Sequence, residues 1–280
     1  MMGLVTDVAS WLDSLPTALG GQRRLLQGLI DWCERDADAR WVVVGCSLAR
    51  GKADRFSDLD VAMGVTDGQV EAVVRRFVEA AGHLGELVEC FDHRLVDVAF
   101  AHRRVFAQFA DRTQVDLFIS EASNSNVPST VTLYDPDSMV TKRDGPPPDW
   151  AAAAWTWACL AWEALADLGK YLRRGSSWEA YDRLQAARGH LWQLWALAET
   201  ASEPQYGVTS VLDAAASLPA GIESTVAGLE PSDLLGAARR LGALLSELEA
   251  RLSTDRGYRF PEQLGRFVAD DLRALSPSSR

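Results

Sequence analysis

Three consecutive prolines near the middle of the chain limit its fold more than any other feature. The stretch DGPPPDW covers residues 144–150, and proline has no backbone N–H to give to a helix or a sheet interior. Neither kind of element can run through this stretch, so we expect it to separate two domains. The sequence predicts one domain over residues 1–144, a linker over 145–149 and a second domain over 150–275.

The residues before this break mix helical and strand patterns. Leucines at helical spacing predict a helix in the first forty residues, and the β-branched run WVVVG at 41–45 predicts a buried strand. A capping box formed by Thr66 and Gln69 predicts the start of a second helix, which we expect to end at Gly82. Further strands are expected at 58–65, at 86–91, in two parts of 104–120 joined by a turn at 111–113, and within 130–135. This order of elements predicts a mixed sheet with flanking helices.

The residues after the break are rich in Ala, Leu and Trp at helical spacing. An apolar stripe from Trp155 to Gly169 predicts a long helix, with Asp149 as its N-terminal cap and Gly175 at its end. Further helices are expected from the Ser176 and Glu179 capping box onward, over 232–252 and over 260–275. The predicted fold class is therefore α+β, with an N-terminal mixed-sheet domain followed by a C-terminal helical bundle.

Charge and hydropathy exclude several classes of partner. The chain carries 28 basic and 39 acidic side chains, a formal net charge of −11, and a field of this sign repels nucleic acid. No apolar run approaches the roughly 20 residues that cross a bilayer, and Asp7 and Asp13 stand where a signal peptide would be basic and apolar. We therefore expect a cytoplasmic protein without nucleic-acid or membrane partners, either a monomer or a homodimer.

Three carboxylates interrupt strands that are otherwise apolar. Asp58 and Asp60 lie one residue apart, so strand alternation puts them on one face, and Asp116 lies within the later run QVDLFI. Like charges this close disfavour each other unless a cation lies between them, and Mg²⁺ prefers oxygen ligands. If the two strands are neighbours, the three carboxylates converge, as a two-metal phosphoryl or nucleotidyl transfer requires. Asp116 is also a candidate general base, with Glu89 as an alternative.

The loop before the first two acids is suited to binding phosphate. The sequence GCSLARG follows the buried strand and forms a tight turn that begins at Gly45. The backbone N–H groups of this turn and the hydroxyl of Ser47 are candidate donors to phosphate oxygens. Arg50 or Lys52 would add positive charge to this turn. Because Asp58 follows Ser47 by eleven residues, the turn and the acids form one pattern.

This pattern resembles the nucleotidyltransferase superfamily that includes DNA polymerase beta. The stretch GCSLARGKADRFSDLDV is similar to that superfamily's Gly-Ser turn followed by Asp-x-Asp, and QVDLFI resembles the strand of its third acid. One difference is that Cys46 stands directly before the serine, where relatives usually have glycine. A sheet domain followed by a helical one also resembles the antibiotic nucleotidyltransferases, which modify aminoglycosides or lincosamides.

The resemblance implies a Mg²⁺-dependent transfer of a nucleoside monophosphate, by default AMP from ATP, to a hydroxyl of a small molecule. It implies that Asp58 and Asp60 hold Mg²⁺ and that Ser47 contacts the phosphates. It also implies that Asp116 is a metal ligand or the general base. Lys170, near the end of the first bundle helix, is a candidate contact to the nucleotide.

The acceptor is not identified by these residues. The net charge of −11 favours a cationic acceptor such as an aminoglycoside-like antibiotic. Two alternatives stay open: adenylylation of a hydroxyl on a protein, and a catalytically inactive relative that still binds nucleotide.

Overall fold

The computed structural model describes residues 8–95, 100–127, 130–142 and 148–276. Contacts within the chain divide it into two compact units, Met1–Gly145 and Pro146–Arg280. Each unit has its own hydrophobic core. Residues 145–147 of the expected linker lie outside the described residues.

The first unit is built on a six-stranded mixed sheet. Its strands lie in the order β3-β4-β5-β2-β1-β7, and every pairing is antiparallel except that of β2 with β5. The strands are β1 (Ala39–Val44), β2 (Leu59–Val65), β3 (Leu87–His93), β4 (His102–Phe109), β5 (Gln114–Glu121) and β7 (Val131–Tyr134). A separate parallel pair, which the sequence did not predict, joins β6 (Asn126–Val127) to β8 (Thr141–Lys142). The helices of this unit are α1 (Val8–Ser14), α2 (Gly20–Arg35), the short α3 (Cys46–Ala49) and α4 (Val70–Ala80).

One face of the sheet forms the main core of this unit. Alternate residues of β2, from Leu59 to Val65, are almost fully buried, and the same alternation continues on β5. Helices α2 and α4 pack on this face with leucine, valine and phenylalanine side chains. The period of two along the strands thus leaves the residues between the buried ones on the opposite face.

The opposite face is only partly covered. Trp41 lies against Gly64 on the neighbouring strand and donates from its indole N–H to the Ala122 carbonyl oxygen at 3.1 Å. Trp41, Ala122 and Val127 form a small second cluster with Val43. The remainder of this face is open enough to carry polar side chains, and these make up the candidate site.

The second unit is a bundle of five α-helices in its described part. They are α5 (Trp150–Arg173), α6 (Ser177–Ala198), α7 (Val208–Asp213), α8 (Pro231–Arg256) and α9 (Glu262–Ala274). As predicted, Asp149 caps α5, accepting a hydrogen bond from the backbone N–H of Ala152 at 3.0 Å. At the centre of the bundle Trp162 is fully buried and donates its indole N–H to the Glu249 carboxylate at 2.7 Å.

Local details of the helices differ from the sequence prediction. Helix α4 begins at Val70 without a side-chain cap, because the Thr66 hydroxyl points to the Asp38 carbonyl oxygen instead. It ends at Ala80, and one 3-10 turn continues to His83. In α5 the predicted stripe is centred on Trp162, whereas Trp155 is 45% exposed. Within the described residues, no helix is long and apolar enough to span a membrane.

Candidate active site

Two of the predicted acids lie side by side on neighbouring strands. Strands β2 and β5 are parallel, and their register places Asp60 opposite Asp116. Strands in a sheet are about 4.8 Å apart, so adjacent side chains on one face are close neighbours. The register is maintained by the apolar residues on either side, such as Leu59 opposite Val115, which are buried on the core face. Asp58 directly precedes β2 at the same edge of the sheet.

The acids interact with one another electrostatically. Partial burial raises the pKa of the Asp58 carboxyl above its usual range, and the negative charges of Asp60 and Asp116 raise it further, while the Arg104 guanidinium opposes them. A site that disfavours its own negative charge gains stability from a bound cation. Carboxylate oxygens are hard donors of the kind that Mg²⁺ prefers, so the donor set at Asp58 and Asp60 fits this ion.

Arg104 is a member of the site that the sequence analysis missed. It lies on β4, and its guanidinium donates from Nε and one terminal nitrogen to the two carboxylate oxygens of Asp116. This pairing raises the pKa of Arg104 above its usual range. The sequence shows two consecutive arginines at 103 and 104, and only the register of β4 against β5 reveals which one shares a face with Asp116.

The third acid is therefore engaged with a cation of the protein itself. Among the described residues, no three His, Cys, Asp or Glu side chains are arranged to hold one metal ion together. Both oxygens of Asp116 accept hydrogen bonds from Arg104. The role of Asp116 as a metal ligand stays a prediction.

A cavity of about 230 Å³ opens beside these residues. Asp60, Asp116 and Arg104 line one side of it. The rest of the described lining is largely apolar or small: Val43, Gly45, Val61, Ala62, Leu95, Phe118, Val127 and Thr130. Phe118 is held by a stacked contact with His102, with ring centroids 5.4 Å apart. The acids thus face a space in which a ligand would be partly removed from water.

The predicted phosphate-binding turn is attached directly to the acid strand. The Gly45 N–H donates to the backbone carbonyl oxygen of Asp60 at 2.9 Å. Cys46 then adopts a left-handed conformation, with φ of 48°, and Ser47 lies within the four-residue helix α3. Arg50 directly follows the last residue of this helix, Ala49, and is exposed. Gly45 is the only one of these four residues in the described lining of the cavity.

Two other predicted candidates lie outside this group. Glu89 is exposed on the edge strand β3, which is separated from β5 by β4. Lys170 belongs to the helical unit, where its ammonium pairs with Asp167 and lies 4.7 Å from the centre of the Tyr171 ring. Their roles as general base and nucleotide contact stay predictions.

No protein-family model matches the chain, and neither does any curated protein. Solved structures similar to it include an aminoglycoside 6-adenyltransferase from Bacillus subtilis, with 15% identity and a TM-score of 0.40, over 91% of this chain and 99% of that one. Another is the poly(A) polymerase complex GLD-2–GLD-3, with 14% identity and a TM-score of 0.29, over 100% of this chain and 70% of that one. Both of these neighbours are nucleotidyltransferases.

Proposed function

We propose that this protein transfers a nucleoside monophosphate from a nucleoside triphosphate to a hydroxyl of a small molecule. The observation that carries the proposal is the in-register pair of Asp60 and Asp116, with Asp58 beside them, at the edge of a cavity. Nothing in the packing of the unit requires carboxylates at these positions, since the apolar residues that form the core lie on the other face. Carboxylates held together against their own repulsion are suited to holding a cation at a reacting phosphate.

In this proposal Asp58 and Asp60 would hold Mg²⁺, which would supply positive charge at the reacting phosphate. The turn from Gly45 to Ser47 binds phosphate oxygens with donors other than the Gly45 N–H, which is donated to the Asp60 carbonyl oxygen. Arg50 adds positive charge. The acceptor hydroxyl oxygen forms a bond to the α-phosphorus as the bond to pyrophosphate breaks. Asp116 takes the proton of that hydroxyl. The triphosphate is ATP by default.

The acceptor is a small molecule that carries a hydroxyl, and a cationic antibiotic of the aminoglycoside type is the best candidate. The net charge of −11 supports a cationic acceptor because it raises the local concentration of positively charged ligands. The cavity contributes an apolar wall at Ala62 and Phe118, which suits the carbon skeleton of such a molecule.

The test is acceptor-dependent release of pyrophosphate. Each of the four nucleoside triphosphates is supplied with Mg²⁺ and a panel of aminoglycosides, lincosamides and other hydroxylated amines. We expect release with at least one acceptor. We expect Asp58→Asn to lower the rate about a hundredfold or more, because it weakens the site for the Mg²⁺ whose positive charge would stabilise the transition state. Asp137→Asn is the matched control, since Asp137 is exposed and outside the site, and it should leave the rate unchanged.

Two results would contradict the proposal. Nucleotide transfer at an unchanged rate in Asp58→Asn would show that Asp58 takes no part in catalysis. Nucleotide binding without release from any acceptor in the panel would favour a protein acceptor or an inactive relative.

A further inference from the structure

Arg104 forms an ion pair with Asp116, the third acid of the candidate site. Both oxygens of Asp116 accept hydrogen bonds from the guanidinium, and the Asp116 side chain is only 15% exposed. A divalent ion bound to these oxygens would compete with both hydrogen bonds for the electron density of the carboxylate. It would also lie directly against the positive charge of Arg104, which repels it.

The charges of the site balance with one ion. Asp58, Asp60 and Asp116 each carry one negative charge when ionised, and Arg104 carries one positive charge. A single divalent ion then brings this group of side chains to neutrality. A second divalent ion would leave the nucleotide-free site with a net charge of about +2 and would weaken the bidentate pair, which is a strong, charge-assisted interaction.

We propose that Arg104 is a positioning residue that replaces a second metal ion, so that the protein without nucleotide binds one divalent ion, on Asp58 and Asp60. The inference rests on the proposed function for the assignment of those two residues as metal ligands. The guanidinium fixes the plane of the Asp116 carboxylate. Because each carboxylate oxygen has more than one lone pair, this leaves Asp116 able to accept a further hydrogen bond from an acceptor hydroxyl.

The stoichiometry of Mn²⁺ binding tests this directly. Free Mn²⁺ is followed by electron paramagnetic resonance during titration of the full chain without nucleotide. We expect one Mn²⁺ per wild-type chain and at least tenfold weaker binding in Asp60→Asn. In Arg104→Gln, which frees the oxygens of Asp116, we expect a second Mn²⁺ with an affinity within about tenfold of the first.

Arg103→Gln is the matched control. Arg103 is adjacent to Arg104 but lies on the opposite face of β4, where it pairs with Glu71 and Asp92. The substitution makes the same change in net charge, so a second ion that appears in Arg104→Gln but not in Arg103→Gln is due to release of Asp116. Circular dichroism of each variant reports whether it is folded.

Three results would overturn the inference: two Mn²⁺ ions bound to the wild type, none bound to it, or one bound to Arg104→Gln with unchanged affinity. If Arg104→Gln does not fold, the inference is tested by the number of ions bound to the wild type and to Arg104→Lys. The lysine variant keeps the positive charge and should still bind one ion. Two ions in a wild type that transfers nucleotide would refute this inference alone. Absence of both ion binding and transfer would refute the proposed function as well.

Discussion

Cys46 has a backbone conformation that suits glycine better than cysteine. Its φ of 48° lies in the left-handed region, where the Cβ of an L-residue approaches the neighbouring carbonyl oxygen. The strain falls in the turn that leads from β1 into α3, directly after Gly45. Strained residues are often retained close to functional sites, and this one lies between a residue that lines the cavity and Ser47, the predicted phosphate contact.

We expect Cys46→Gly to stabilise the first unit by about 0.5–1 kcal/mol. Removing the left-handed penalty gains roughly 1–2 kcal/mol, and the greater freedom of glycine in the unfolded chain returns part of this gain. Urea denaturation at constant pH measures the difference. Cys46→Ala removes the thiol but keeps the Cβ, so an equal gain in that variant would show that the backbone strain is not the cause.

The sequence alone predicts where the acids lie but not what Asp116 contacts. Asp60 and Asp116 were found because each interrupts an apolar strand, and strand alternation is a local property of the sequence. Arg104 is twelve residues away from Asp116 in the chain, and its contact depends on how β4 and β5 align. That alignment is determined by the burial of apolar residues on both strands together, which a local pattern does not contain.

Among the strands, the contact between β1 and β2 depends on a glycine. A Cβ at position 64 would overlap the indole ring of Trp41, which is only 1% exposed and held by its hydrogen bond to Ala122. Movement of the ring away from such a Cβ would disturb that hydrogen bond. The Trp41 and Gly64 pair therefore fixes the distance between the sheet and the segment after β5.

We expect Gly64→Ala to destabilise the first unit by about 2–3 kcal/mol, because overpacking a buried contact forces shifts in the backbone or the ring. Thermal unfolding followed by near-ultraviolet circular dichroism would show the loss and report on Trp41 as well. Gly20→Ala is the matched control, since a Cβ at position 20 meets nothing within 4 Å. A variant as stable as the wild type would mean that Trp41 is free to adopt another rotamer.

A local capping signal predicts the start of a helix only where no distant partner competes for the capping side chain. The cap at Asp149 was predicted from sequence, and its hydrogen bond to the next turn is present. The Thr66 and Gln69 capping box was wrong because the Thr66 hydroxyl and N–H both turn to the Asp38 carbonyl oxygen, across the end of the sheet. Thr66 thus bonds to Asp38, which is distant in the sequence, instead of capping the helix that follows it. Local sequence patterns do not indicate such distant partners.

Over the whole molecule, separate cores mean that the two units can respond differently to pH. Glu249 is 8% exposed within the helical unit. Burial raises the pKa of its carboxyl from 4.5 to about 7. The protonated Glu249 carboxyl therefore makes its full contribution to the free energy of unfolding below pH 4.5. This contribution is lost as the pH rises to about 7.

Between pH 5 and pH 8 the wild type should lose about 2 kcal/mol of its free energy of unfolding as Glu249 ionises. Glu249→Gln should not show this loss, because glutamine does not ionise. Scanning calorimetry should assign the effect to the unfolding transition of the helical unit and leave that of the sheet unit unchanged. Glu247→Gln serves as control, since the Glu247 side chain is 68% exposed. A pH-independent difference between Glu249→Gln and the wild type would contradict the raised pKa.

The parallel register of β2 with β5 also limits how this protein can change in evolution. A single inserted or deleted residue within β5 would turn Asp116 toward the core and bring Val115 or Leu117 opposite Asp60. Such a chain would have to bury an unpaired carboxylate or expose its core residues, so it would lose the fold together with the site. Changes of length are therefore tolerated in the connections between strands and eliminated within β2 and β5. The requirement to fold thereby preserves the spacing of the acids, even in descendants that no longer need their chemistry.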